Sequence, residues 1–543
     1  VNRTTLSLGA AVVALAAVTG IASVTSSGGG GTATAAAAPK TLPVQRSSGL
    51  CPSPGDSQTA ETTYTSFAPK GTSAAADGAG AAALVPAAPA PTPGGTPSTS
   101  KGSGGDKGGS KDKSKDKKSS EDKTPKSSKS PSAGSSSSPS APAQKPVLSL
   151  KQPGTPVTAT APDDPTALVG TATGALAPGW TTQETTTDDV GTGRGLAALT
   201  CTAPDTDFWL PGASTASSRE DYVHLTNPDD STAVVDLQLY GKNGVMKSDT
   251  GEGIPVPAHS SVPVLLSTLT SQAEDDVTVH VTTRSGRVGA ALRASDAKTG
   301  GDWLVPSADP SPTLVMPGIP EDASDVRLVV YAPGQNDADL DLKLSGPSGG
   351  IVPAGHESLH VKSGMTASVD LGNVTRGEAG SLILSPSQKG EATPVVAALR
   401  VTRGKGDGQD MAFIPATGPV ASRATVADNR SKGSTLSLVA PDKAAQVKVT
   451  ASAGSDGGKQ TQKTYTVKAG TTLAFTPPVP SGLKGSYALT VQTVSGGPVY
   501  AARTLSQRKS GISMFTVQTL PDDRGTVSVP RAQQDLSILQ GDG

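Results

Sequence analysis

Apolar and polar residues alternate with a period of two through most of the chain, in short runs cut by glycine and proline. Val235, Leu237 and Leu239 alternate with Asp236 and Gln238. Leu340, Leu342 and Leu344 alternate with Asp339, Asp341 and Lys343, and Val447 and Val449 with Lys448 and Thr450. One face buried and one wetted is the mark of an antiparallel strand. Each run is preceded by a strand and an x-Pro turn: Tyr222 to Leu225 before Asn227-Pro228, Leu328 to Tyr331 before Ala332-Pro333, and Leu436 to Val439 before Ala440-Pro441. These prolines are 105 and 108 residues apart. Glycine turns follow, then bent strands (Ile254 to Val264, Leu359 to Leu371, Tyr465 to Phe475), then apolar strands at Val277 to Val281, Leu382 to Leu384 and Tyr487 to Val491. No stretch keeps a helical period.

A small-residue strand closes each unit, with aromatics shortly after it. The copies are Leu196 to Leu199 before Phe208-Trp209, Gly289 to Arg293 before Trp303, Val396 to Arg400 before Phe413, and Tyr500 to Arg503 before Phe515. Spacings of 93, 107 and 104 residues, from Leu199 to Leu292, Leu399 and Arg503, are domain-sized. The predicted fold is all-β, a tandem array of immunoglobulin-like β-sandwich modules without a Cys-Trp-Cys core. The expected division is 1–38 as signal peptide or anchor and 40–205 as a first module. Modules at 206–305, 306–413 and 414–517 follow, then a polar tail at 518–543. One aromatic site per module predicts that Phe208, Trp209, Trp303, Phe413 and Phe515 seal module junctions; exposed, they would serve a ligand.

Phe208-Trp209-Leu210-Pro211-Gly212-Ala213-Ser214-Thr215, followed by Asp221 to Leu225 and Asn227-Pro228, resembles an uncharacterised family of secreted actinobacterial proteins. Its repeats open with an aromatic pair and Gly-x-Ser/Thr, and an Asn-Pro turn follows. The likeness is best over about 205 to 300, and the later modules carry Ala-Pro instead. It implies an envelope location and β-sandwich repeats, with no catalytic residue.

Composition changes the picture at the N-terminal end. Arg3 is the only charge before Lys40, and Leu6 to Val24 is apolar or small, as in an export signal; an uncleaved N-terminal membrane tether is the alternative. From Pro86 to Pro146, 61 residues hold no Val, Leu, Ile, Met, Phe, Tyr, Trp or Cys, so the first module is expected to carry a disordered insert. Residues 101–130 hold ten Lys against five Asp/Glu, while the whole chain is at −1, so the modules lack the basic face of a nucleic-acid binder. Cys51 and Cys201, the only cysteines, flank the insert and are expected to form a disulfide in an exported chain.

Chemical motifs are weak in their context. His356-Glu357-Ser358-Leu359-His360 matches a zinc-peptidase string that works only on a helix. Here it overlays a predicted strand, where residues four apart are about 13 Å apart. Gly346 to Gly350 matches a nucleophile-elbow pattern but reads as a hairpin turn. Asp337, Asp339 and Asp341 lack the glycine of a calcium loop. His224, His259 and His280 are scattered. No catalytic, cofactor-binding or metal residue is assigned, and no cofactor is expected.

The expectation is a non-catalytic extracytoplasmic envelope protein, a scaffold or interaction module for a cell-wall polymer or another envelope protein. A carbohydrate-binding accessory of wall metabolism is the first alternative, requiring Trp209 and Trp303 exposed on a common groove. A zinc-dependent hydrolase is the second, requiring residues 353–365 to be helical.

Overall fold

The computed structural model describes residues 40–529, apart from 56, 72–79, 90–144, 389 and 391. The expected signal or anchor at 1–38 lies outside the described residues, as does most of the insert at 86–146. Its first residues are ordered: Pro86 ends the strand Ala82–Pro86, Ala87 is buried, and Ala88 lies parallel to Ser260.

The described chain is all-β, and no helix among these residues is long and apolar enough to cross a membrane. Two compact units are present. In the smaller one, Lys40–Pro43 pairs antiparallel with Thr526–Val529, so the segment expected to be a polar tail contains a strand. The other unit runs from Val44 to Gly525.

Within Val44–Gly525 the strands form eight sheets, grouped here as four pairs that share cores. In the first pair, Arg46–Cys51, Leu168–Thr173, Ala82–Pro86 and Leu148–Leu150 form one sheet. Gly195–Thr200, Thr181–Asp188, Glu61–Phe67 and Val157–Thr160 form the other. The second pair sets Asp207–Ala213, Val277–Ser285 and Ala233–Gly241 against Gly300–Leu304, Gly289–Asp296, Arg219–Thr226 and Ser260–Leu265. The third sets Leu314–Ile319, Gly380–Pro386 and Ala338–Gly346 against Thr366–Asp370, Ala323–Tyr331, Val396–Arg403 and Asp410–Pro415. The fourth repeats this with Arg423–Asn429, Tyr487–Gly496, Ala445–Gly454 and Thr461–Val467 against Thr471–Phe475, Ser434–Ala440, Tyr500–Lys509 and Ile512–Thr519.

The period-two residues carry the cores. Leu237, Leu239, Val279 and Val281 of one sheet meet Val223, Leu225 and Leu292 of the other, all fully buried. Each such side chain stabilises the fold by roughly 1.5–3 kcal/mol. The predicted bent strands each divide into two strands that join opposite sheets: Ser358–Val361 pairs with Ala338–Gly346, and Thr366–Asp370 with Ala323–Tyr331. The loop between them passes from one sheet to the other.

Two sequence expectations need correction. Phe208 and Trp209 lie on an opening strand, paired with Val277–Ser285, whereas Trp303, Phe413 and Phe515 lie on closing strands beside the small-residue strand. The counterpart of Trp209 is Val315, because Pro211-Gly212 and Pro317-Gly318 occupy the same β-bulge. The second concerns the Cys-Trp-Cys core; the expected disulfide itself is present. Cys51 and Cys201 are bonded, Cα atoms 4.5 Å apart, and Trp180 packs in their core, so a tryptophan does accompany this disulfide. Gly49 lies between the two, its absent Cβ 3.2 Å from the Trp180 ring and 3.7 Å from Cys201 Cβ.

Candidate functional site

Four edge strands meet at the middle of the larger unit. Gly195–Thr200, Gly300–Leu304, Asp410–Pro415 and Ile512–Thr519 each contact the next, and the last contacts the first. The array is therefore closed, not linear. The closing aromatics make the joints. Trp303 packs on Ala197 and Leu199 of the first pair, Phe413 enters the core of the second, and Phe515 enters the core of the third. Leu196 of the first pair meets Leu505 and Met514 of the fourth, which completes the circuit.

Polar groups fasten the same centre. Asp302 accepts hydrogen bonds from the Ala198 N–H (3.2 Å) and the Thr516 hydroxyl (3.0 Å). Asp410 accepts one from the Phe515 N–H (2.6 Å). Burial drives the Asp302 carboxyl well above the usual range and pushes Asp410 up to about 8, although backbone donors oppose the shift. The Glu184 carboxyl is fully buried with no hydrogen-bond partner among the described residues, so desolvation raises its pKa strongly while Arg293 offsets only part. Gly195 has φ +143°, and a Cβ there would come within 2.8 Å of the Asp410 carboxylate and of Gly301 O. Only glycine fits that approach.

The motif residues are placed as follows. Phe208, Trp209, Trp303, Phe413 and Phe515 are all buried, so Trp209 and Trp303 form no exposed groove. His356 lies in a turn, its N–H bonded to Pro353 O, and only His360 is on a strand, where it contacts Asp339 at 2.8 Å and Asp337 at 3.4 Å. This corrects the placement of both histidines on one strand. The zinc string thus has no helix, and no group of three or more metal-ligating side chains gathers among the described residues. Pro347 and Ser348 are the loop of a hairpin between Ala338–Gly346 and Gly349–Ile351. His280 stacks on Trp209 at 3.6 Å, His259 contacts Asp230, and His224 meets the edge of Trp303. Burial lowers His224 to about 4.

The Gly-x-Ser and Asn-Pro signatures are structural. The Ser214 N–H donates to Asp221, which pairs with Arg219 at 2.7 Å, both fully buried. Asn227 Nδ2 donates to Ser231 O and Val256 O and so holds the turn before Pro228. Sheet, turn and joint geometry thus account for these motif residues. The chain belongs to DUF5719, a family of unknown function, which matches residues 157–478. The DUF5719 match begins at Val157–Thr160 of the first pair and ends just after Thr471–Phe475 of the fourth. No curated protein and no solved structure matches the chain.

The second–third and third–fourth seams of this DUF5719 protein share one design. At the second–third seam, Thr366 donates to Tyr240 O (2.7 Å), and Trp209, Tyr331 and Val396 pack together. At the third–fourth seam, Thr472 donates to Ser345 O (2.6 Å), and Val315, Ile383 and Val439 pack together. Gly212 (φ +108°) and Gly318 (φ +88°) sit at the two equivalent bulges, and a Cβ on Gly318 would approach Ala502 to 2.8 Å.

The seam between the fourth and first pairs departs from this. Its bulge residue is Asp428, at φ +53°, and its carboxylate accepts a hydrogen bond from Thr185 (2.8 Å). The outward row across the sheet reads Trp209–His280–Gln238 in the second pair and Val315–Ile383–Lys343 in the third, but Thr425–Thr490–Thr450 in the fourth. The next row holds Asp207, Thr282 and Asp236 in the second, Ser385 and Asp341 in the third, and Arg423, Gln492 and Lys448 in the fourth. Acidic positions have become basic. Phe67, Pro69 and Lys70 of the first pair lie across part of this face and leave a cavity of about 180 Å³. Alternation alone marks Lys448 and Thr450 as one wetted strand face; the 106-residue repeat of Pro211-Gly212 at Pro317-Gly318 is the sequence signal for which rows of the second and third pairs correspond.

Proposed function

We propose that this protein is a non-catalytic extracytoplasmic scaffold of the cell envelope, built from four immunoglobulin-like sandwiches closed on one another. The observation that carries it is the burial of Trp209, Trp303, Phe413 and Phe515 in joints between sheet pairs, while Phe208, expected at a junction, lies in the second pair's own core. Residues that would act as stacking platforms in a glycan-binding surface instead hold neighbouring pairs in one body. A disulfide joining residues 150 apart in sequence suits an oxidising compartment. The partners are a wall polymer or another envelope protein.

Fractionation with thiol alkylation tests the location. The expected result is a chain recovered outside the cytoplasm whose two cysteines resist alkylation until reduced. Recovery in the cytoplasm with both thiols free would overturn the proposal.

A further inference from the structure

The cavity between the first and fourth pairs has a lining with a definite chemistry. Its cations are Lys70, Lys448 and Arg423, its amides include Gln462 and Gln492, and its hydroxyls include Thr450 and Thr490; no carboxylate lines it. Arg423 is engaged by Asp523 and donates to Pro178 O, so it shapes the wall. The side chains of Lys70, Lys448, Gln462 and Gln492 have no hydrogen-bond or ion-pair partner among the described residues. We infer that this groove binds an anionic, hydroxyl-rich chain, in which single negative charges are separated by hydroxylated spacers. The inference rests on the scaffold reading for where such a ligand is met, and deepens it by naming what is held.

Three observations converge. The lining pairs unopposed ammonium groups with amides that both donate and accept, which suits an anion flanked by hydroxyls. A cleft lined by charge of one sign concentrates its field inward. The equivalent rows of the second and third pairs are acidic and, one row over, partly apolar, so the basic and polar character belongs to the one sheet face that no later pair covers. The space is small and open, as needed for one unit of a longer chain lying across it.

The test uses the full chain with three probes: an oligomer of ribitol phosphate, an oligogalacturonate and a neutral dextran oligomer. Amine acetylation read by mass spectrometry reports each lysine separately, which distinguishes the groove from the ten lysines of residues 101–130. An anionic probe should slow acetylation of Lys70 and Lys448 several-fold and leave the exposed Lys468 unchanged, while dextran protects neither. Protection by ribitol phosphate alone assigns a phosphate ligand, and by oligogalacturonate alone a carboxylate. In calorimetry the Lys70→Gln, Lys448→Gln double variant should bind at least ten-fold more weakly, with an unchanged melting temperature. Failure of both anions to protect these lysines, equal protection by dextran, or unchanged affinity in the double variant would overturn the inference. Because the assay uses purified protein, groove binding by a chain found in the cytoplasm would refute the location and leave the site standing.

Discussion

The second–third and fourth–first seams join similar sheets by different means. At the second–third seam Trp209, Tyr331 and Val396 pack together, one threonine hydroxyl reaches across, and Arg327 pairs with Asp276 at 2.5 Å. At the fourth–first seam the apolar contacts are Phe67 with Ala427 and Ala488, and Leu196 with Leu505 and Met514, and polar contacts lie beside the former: Thr185 to Asp428, and Thr158 with Ser486 at 3.1 Å. A dry seam fixes geometry by packing. A wet seam closes the circuit with more polar contacts and leaves the side chains of Lys448 and Gln492 unpaired among the described residues. The difference begins at single positions, where Gly212 and Gly318 give way to Asp428 and where Asp236 and Asp341 give way to Lys448.

If the wet seam is the weaker joint, the first pair depends most on its covalent link. Replacing Cys51 and Cys201 by Ala should lower stability by about 5 kcal/mol on the chain-entropy estimate for so long a loop. Chemical denaturation should then become biphasic, with the first pair unfolding ahead of the others; a single transition at an unchanged midpoint would contradict this. At a dry joint, Phe413→Ala should cost about 3–5 kcal/mol, since the ring is fully buried in a neighbouring core. Calorimetry should register the loss in the second and third pairs together. A loss below about 1 kcal/mol would mean that the joint is not packed as described.

Much of the second to fourth pairs was legible because a half-buried strand announces itself locally: Leu340, Leu342 and Leu344 face one core whatever lies beyond. The closed arrangement was not. Leu196 meets Leu505 and Met514 across some three hundred residues, and nothing in the alternation of either strand encodes that contact. Thr181–Asp188 was the hardest case. Its residues are all polar, yet every one is buried; hydroxyls pair across strands, as in Thr62 with Thr186 (2.8 Å) and Thr182 with Ser66 (3.1 Å), while the Glu184 carboxyl has no partner among the described residues. The candidate groove was visible only as polar strand residues, since its other wall comes from Lys70 and its neighbours.

The central carboxylates offer an effect spread over several pH units, with a definite sign. Asp410 holds its proton up to about pH 8 when folded, whereas the unfolded group releases it near its ordinary value of about 4. Between these values the folded state binds the extra proton, so this group's contribution to stability falls as pH rises, by at most about 1.4 kcal/mol per pH unit. Asp410→Asn should therefore flatten the dependence between pH 5 and 8 relative to wild type, measured by urea denaturation. Parallel profiles for the two proteins would contradict it. Smaller still, Thr366→Val or Thr472→Val should cost about 1 kcal/mol each by removing the hydroxyl that crosses a dry seam. Effects of equal size at both positions would support one shared design, and no effect at either would show that the apolar contacts alone hold these seams.

The closed circuit is tested most directly by zero-length carbodiimide cross-linking of the full chain at low concentration. Lys509 Nζ of the fourth pair lies 3.7 Å from Glu61 Oε1 and 3.9 Å from Asp189 Oδ1 of the first. The account predicts that peptides joining Lys509 to Glu61 or Asp189 are recovered from the monomer band. Lys509 joined only to acids of its own sheet pair, with neither first-pair peptide present, would contradict closure and return the molecule to a linear array.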